Sequence, residues 1–250
     1  MKIVNFRDFG GVVTEGGKRV AAGALYRCGQ PGPLGTTAFE DLEALGFAAV
    51  ADLRFPDEIR SSVFPWTDPG RPTRILMEES DCGDAPHHAF FTASLEHIDD
   101  VHRLYRDFYA GLPADPRYQS LIGRAIRNFA EAEGPVLVHC SAGKDRTGFL
   151  SALMLRLLDA RSDDILADYM ISDSSEAKAA LRPEIERRFA AHGRTLPREG
   201  ILDAILGVTP AYLEASFATI DALDGSVAGY LDKIGVDEGV RSRFKARLLG

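Results

Sequence analysis

Residues 135–158 read PVLVHCSAGKDRTGFLSALMLRLL, and the order of residue types in this stretch sets the class of fold. Val136 to Val138 make a short apolar run, the form a strand takes when it is buried on both faces. Gly134-Pro135 ends the helical pattern just upstream. From Thr147 onward the spacing turns helical and predicts a helix over 147–159. A buried strand that passes through a Gly-bearing loop directly into a helix is an α/β element.

The loop itself, HCSAGKDRTG at 139–148, carries chemistry. A loop leaving a buried strand and opening a helix points successive backbone N–H groups into one concavity, and the helix N-terminus adds roughly half a positive charge. Those donors would stabilise Cys140 as the thiolate, the reactive form. Arg146, six residues on, can return to the rim and hold two oxygens of a bound oxyanion. Gly143 permits a positive φ in the tight loop, and Thr147 can hydrogen-bond the sulfur. The predicted result is a nucleophile inside a cradle for a tetrahedral dianion, a phosphate-monoester site. A bare C-x5-R is a weak signal in an Arg-rich chain. Here Cys28 and Cys82 have Leu34 and His88 six residues on, and only Cys140 has the arginine.

Outward from this loop, no repeat or low-complexity linker divides the 250 residues, and one domain over 1–250 is expected. Strands are predicted at 19–27, 47–53 and 74–77. Thr36 or Thr37 can cap a helix with Leu42 and Leu45 on its apolar side, ended by Gly46. Residues 80–93 read as a loop. Apolar positions at Leu95, Ile98, Val101, Leu104 and Phe108 predict an amphipathic helix from 94, and 117–132 repeats the pattern. Helices follow over 163–172, 175–191, 199–206, 210–223 and at the C-terminus. The expectation is an α/β fold whose C-terminal half is helical. The segment 82–110, with Phe90, Phe91, Tyr105 and Tyr109, reads as a lid over the site, or as a helix packed on the core.

Composition narrows the function classes. With 37 acids against 29 bases the net charge is −8, which argues against a nucleic-acid surface, since phosphate backbones need a basic face. Three cysteines are too few for a disulfide framework. Neither a signal peptide nor a membrane-spanning run is present in the sequence, so a cytoplasmic protein with no integral membrane association is expected, export without a signal remaining open. His97 and His102 are five residues apart and do not share a helix face well, so no metal site is expected. No cofactor is required either.

HCSAGKDRTG resembles the signature of the cysteine-dependent protein tyrosine phosphatases, and is most similar to the bacterial PtpB-like group of tyrosine and dual-specificity phosphatases, some of which also act on phosphoinositides. The stretches NFRDFGG (5–11), LYRCG (25–29), VADLRFPDE (50–58), ADYMISD (167–173), GVTPAYLEASFATID (207–221) and GSVAGYLDKIGV (225–236) match the same group. The resemblance implies the phosphotyrosine-phosphatase-like fold, a central twisted sheet flanked by helices. It implies that Cys140 is the nucleophile and Arg146 the phosphate-binding arginine, that Ser141, Ala142, Gly143, Lys144, Asp145 and Arg146 form the phosphate cradle, and that His139 supports the thiolate. A lysine at 144 adds positive charge suited to a polyanionic headgroup. Cys28 stands where the group leads one to expect Ser, either as a buried thiol or as a redox partner for Cys140.

The implied reaction is metal-independent hydrolysis of phosphotyrosine, with phosphoserine and phosphothreonine as further substrates, through a phosphocysteine intermediate. A phosphoinositide phosphatase and a phosphate-binding pseudophosphatase are the alternatives. A carboxylic acid must protonate the leaving group. Asp81, at a strand end, is the first choice and roughly matches the family's acid; Asp145, already in the loop, comes next, with Asp84 and Asp52 behind. Arg54, after the buried strand, either contacts phosphate or pairs with Asp52. Arg7 and Asp8 are expected to hold the loop architecture.

Overall fold

A computed structural model describes residues 3–30, 36–61, 72–78 and 88–250. Its sheet contains β1 (Arg7–Asp8), β2 (Leu25–Cys28), β3 (Ala49–Asp52), β4 (Thr73–Leu76) and β5 (Val136–His139), in the order β1-β2-β5-β3-β4. Only β1 runs antiparallel to its neighbour; β2, β5, β3 and β4 are parallel. All four residues of β3 and of β5 are buried, as expected for inner strands of a parallel sheet covered on both sides. The strand expected over 19–27 shortens to Leu25–Cys28, because the preceding residues turn through Gly23 at a φ of +74°.

One face of the sheet carries Leu25, Ala49, Ala51, Val136 and Val138 into the main core. The other face buries Cys28, Val50 and Leu137 against Leu42 of α1 (Thr36–Glu43), Phe47 and Ile3. A further short helix, α2 (Pro56–Ser61), follows β3 and was not foreseen. It has a helix-start signature of its own, with Pro56 first and Asp57 and Glu58 in the opening turn. Where a loop was expected, α3 (His88–Thr92) forms. Asp81, Cys82, Asp84 and His87, all weighed from the sequence, lie outside the described residues.

The main core is closed by helices with one apolar stripe. In α4 (Ile98–Gly111), Val101, Tyr105 and Tyr109 face inward. The second half of the 82–110 segment is thus a core helix. In α5 (Pro116–Ala130), Asp115 caps the start by accepting from the Arg117 N–H, and Leu121, Ile122, Ala125, Ile126 and Phe129 are buried. Helix α6 (Asp145–Leu157) is buried nearly all round and runs into the core behind β5.

Six helices complete the C-terminal half: α7 (Ser162–Met170), α8 (Ser175–Ala191), α9 (Glu199–Leu206), α10 (Pro210–Asp224), α11 (Val227–Lys233) and α12 (Glu238–Leu248). Among the described residues, no single helix is long and apolar enough to cross a membrane. The connection from β5 to α6 therefore lies at the carboxyl end of the central strand, where open α/β sheets form their ligand sites.

Candidate active site

The loop 140–144 takes its shape from where its carbonyl oxygens are held. Gln30 N–H donates to Ser141 O at 2.8 Å, Asn5 Nδ2 to Ala142 O at 2.9 Å, and Arg27 Nη2 to Gly143 O at 3.0 Å. Each peptide unit is planar, so a carbonyl anchored on the outside turns the following N–H inward. A ring of donors thereby faces one point, a geometry suited to an anion.

Cys140 sits at that point, with Gly143 N–H donating to its sulfur at 3.3 Å. Gly143 has a φ of +69°, and a Cβ there would lie 2.3 Å from the Cys28 and Gly29 backbone. Glycine is required twice over, by conformation and by space.

The anchors come from the N-terminal stretches. Arg27 is fully buried and pairs with Asp168 at 2.6 Å. Arg7 pairs with the other oxygen of Asp168 at 2.7 Å and also donates to Ser172 Oγ. Arg7 therefore holds the loop architecture as expected, acting through Asp168 and Arg27. Asp8 accepts from Gly10 and Gly23 N–H and shapes the adjoining turn. Burial opposes ionisation of Asp168, but Arg27 and Arg7 overcome it and hold its carboxyl below the usual range.

Asp168→Ala would leave two buried guanidiniums without a counter-charge and should cost ~3–5 kcal/mol in urea unfolding. A depressed carboxyl stabilises the fold above its unfolded value, about 3.9, and the contribution is lost as pH falls below that point. The difference between wild type and Asp168→Ala should accordingly shrink under strongly acidic conditions.

Arg146 is held by a residue the sequence analysis missed. Its Nη1 donates to Glu58 Oε2 at 2.6 Å and to Leu53 O at 3.0 Å, and its Nη2 to Glu58 Oε1 at 2.8 Å. Glu58 Oε2 also accepts the Phe55 N–H, and the Ser141 hydroxyl donates to Oε1. Glu58 is thus the third residue of α2, reaching back to cap it, and the clamp that orients the arginine. The signal was present in FPDE: a helix start at the carboxyl end of the strand beside the loop.

Asp145 opens α6 and is half-buried, its side chain 15% exposed. Burial pushes its carboxyl up, against the pull of Lys144 and a hydrogen bond from Tyr109. The Tyr109 hydroxyl donates to Asp145 Oδ1 at 3.1 Å, and Lys144 Nζ stands 3.8 Å from the same oxygen.

Several expectations need correction. Lys144 lies near enough for its charge to act on Cys140, but its ammonium does not donate into the cradle. Its Nζ donates to Tyr105 Oη, Ile205 O and Gly207 O at 2.8, 2.6 and 2.8 Å, so all three protons are taken. A lysine can neutralise the open carbonyls at a helix end, and here α9 supplies them. The Thr147 hydroxyl is buried and makes no hydrogen bond, to sulfur or otherwise, among the described residues.

Arg54 is fully buried and pairs with Asp52 at 2.7 Å, which is the structural alternative. Asp52 also lies 3.5 Å from His139. Although burial opposes it, His139 and Arg54 hold the Asp52 carboxyl below its usual range, which removes Asp52 from the candidate acids. Burial lowers His139 to about 4, so its ring is neutral near pH 7. Cys28 is a free thiol, wholly buried, and burial pushes it well up.

Above the cradle is a cavity of ≈ 60 Å³, with Cys140, Asp145 and Arg146 at its floor and Phe90, Tyr105, Leu181 and Ile185 among its walls. Cys140 is 2% exposed. The roof is made by α3 and α8. Phe91 packs edge-on against Phe189 at 5.3 Å, and Arg194 donates to Thr92 O and Ala93 O.

The model of the tyrosine phosphatase family matches residues 1–250. The triple specificity protein phosphatase PtpB of Mycobacterium tuberculosis is 32% identical over 98% of this chain and 96% of its own. A protein of Cupriavidus necator provisionally named a tyrosine-protein phosphatase is 33% identical, over 94% of this chain and 83% of its own. A tyrosine-protein phosphatase of Nostoc commune is 31% identical over 54% of this chain and 45% of its own.

Proposed function

The chain belongs to the tyrosine phosphatase family, and from that premise we propose that it hydrolyses phosphotyrosine in proteins through a phosphocysteine intermediate, without a metal. The observation that carries the mechanism is the convergence of three groups on one cavity: the Cys140 sulfur, the clamped Arg146 guanidinium and the half-buried Asp145 carboxyl.

In this reading the Cys140 thiolate attacks phosphorus while the loop N–H groups and Arg146 take the equatorial oxygens. Asp145 gives its proton to the departing phenolate, and the resulting carboxylate then takes a proton from the water that releases phosphate. The loop amides and Arg146 supply the charge neutralisation that a divalent cation supplies in other phosphoryl transfers. Turnover should accordingly be the same in EDTA.

Of the acids raised by the sequence, Asp145 is the one that lines the described cavity, and a carboxyl pushed up by burial keeps its proton to higher pH than an ordinary aspartate. On substrates with poor leaving groups, the rate should fall on the alkaline side with a midpoint above the ordinary aspartate value, and Asp145→Asn should remove that limb. Asp81→Ala and Asp84→Ala, made beside it, test the remaining candidates; retention of the limb in Asp145→Asn and its loss in either alanine variant would reverse the assignment.

Apolar walls favour an aryl phosphate over phosphoserine or phosphothreonine. The phosphoinositide reading rested on Lys144, whose protons are engaged elsewhere. Comparing kcat/KM on phosphotyrosine peptides, phosphothreonine peptides and short-chain phosphoinositides ranks the three classes, with phosphotyrosine expected first. The roof formed by α3 and α8 acts as the lid, since a buried Cys140 is reached only when it opens. Phe91→Ala loosens that contact and should speed alkylation of Cys140 by iodoacetamide several-fold, on the order expected for lost aromatic packing.

A further inference from the structure

Resting on the assignment of Asp145 as general acid, we propose that Tyr109 and Tyr169 form a relay of two hydroxyl groups that positions Asp145 and holds its transferable proton on Oδ2, the oxygen left for the substrate. Both tyrosines are fully buried, on α4 and α7. Tyr169 Oη donates to Tyr109 Oη at 2.8 Å, and Tyr109 Oη donates to Asp145 Oδ1 at 3.1 Å.

A phenol has one proton to give. Because Tyr109 receives from Tyr169, its own proton points to Asp145. Oδ1 must then be an acceptor, and Lys144 Nζ at 3.8 Å adds positive potential at that same oxygen. Negative charge is favoured on Oδ1 and the carboxylic proton on Oδ2, which makes no hydrogen bond among the described residues. The relay thus converts a half-buried carboxyl with two equivalent oxygens into an acid with one defined proton position.

The other groups facing Asp145 are consistent with this division. Arg146 on its own helix and Arg27 on β2 add positive charge. Tyr105 from α4 and Tyr212 from α10 are near neighbours, but their hydroxyls are engaged elsewhere: Tyr105 Oη donates to Ile205 O, and Tyr212 Oη lies 2.6 Å from His102 Nδ1. Cys140 lines the same cavity. Tyr109 is the group that reaches Oδ1 directly, and Tyr169 fixes its direction.

The test measures kcat/KM against pH for a series of aryl phosphates in wild type, Tyr109→Phe, Tyr169→Phe, Asp145→Asn and the double variant Tyr109→Phe/Asp145→Asn. Tyr109→Phe removes a hydrogen bond that favours the carboxylate, so the alkaline limb should move upward, by roughly one pH unit. Phenyl phosphate turnover should drop about 10-fold, a part of the full general-acid contribution, while p-nitrophenyl phosphate changes little because its leaving group needs less protonation. Tyr169→Phe should move both readouts the same way by less.

In the Asp145→Asn background, Tyr109→Phe should have no further effect on leaving-group dependence. A merely structural tyrosine would lower all substrates alike and leave the pH limb in place. If Asp145→Asn removes the limb and neither phenylalanine variant moves it, the relay is wrong and the acid assignment stands. If Asp145→Asn keeps both the limb and the leaving-group dependence of wild type, the assignment is wrong and the relay falls with it.

Discussion

Cys140→Ser is expected to abolish phosphatase activity, with kcat falling on the order of 10⁴-fold or more while phosphate-ester binding persists. The reason lies in what the loop provides. Its N–H groups and Arg146 still face the same point, because they are held by Asn5, Gln30, Arg27 and Glu58 and not by the sulfur. A serine hydroxyl fits that position, but its proton is far harder to remove than a thiol's. The variant should retain wild-type unfolding behaviour, since Oγ for Sγ is a small change at one buried atom. Activity on p-nitrophenyl phosphate within 10-fold of wild type would exclude the phosphocysteine pathway. Capture of a phosphotyrosine peptide by Cys140→Ser, measured by calorimetry, would show that recognition and chemistry separate here.

The second large effect concerns Arg146 and the carboxylate that clamps it. Arg146→Lys should reduce kcat/KM about 10²–10³-fold, the range for removal of one preorganised donor to a developing oxyanion. Lysine keeps the charge and loses the planar fork, so it cannot hold Glu58 with two nitrogens and still present a donor to phosphate. In the arrangement seen here both Nη atoms are engaged by Glu58, Leu53 O and Ser141.

Glu58→Gln keeps the shape and one acceptor of the clamp but replaces the other with a donor facing Arg146. It should lower kcat/KM roughly 10–100-fold through misorientation of the arginine. The Glu58→Gln loss should be common to all aryl phosphates, whereas the loss in Asp145→Asn should grow with leaving-group basicity. Glu58→Gln rates within twofold of wild type would show that the loop alone orients Arg146.

Much of this protein was legible from its residue order. The run PVLV followed by HCSAGKDRTG required a buried strand, a tight loop and a helix, and a parallel inner strand with an anion cradle at its carboxyl end followed from local chemistry alone. Cys140, Arg146 and the positive φ of Gly143 could be named because each requirement is met within a few residues of chain. Helix α3 was not legible, because five residues carry too little periodicity to be told from a loop, and α2 showed only its start, in FPDE.

Tertiary structure alone decided which groups serve the loop from a distance. Glu58 is 88 residues from Arg146, Asp168 is 141 from Arg27, and Tyr109 is 36 from Asp145. An acid, an arginine or a tyrosine has the same local appearance whether it faces solvent or a buried partner. Its role is set by desolvation and by the one neighbour that satisfies it, and those exist only once the sheet order β2-β5-β3 brings separate segments together. The same reason explains Lys144. Its position in the sequence placed it beside the phosphate, and three acceptors, two of them at the end of α9, drew its ammonium away. Sequence pointed to the proposed nucleophile and its loop, whose chemistry is local. Folding decided the clamp, the relay and the direction of each charge, whose energies depend on burial.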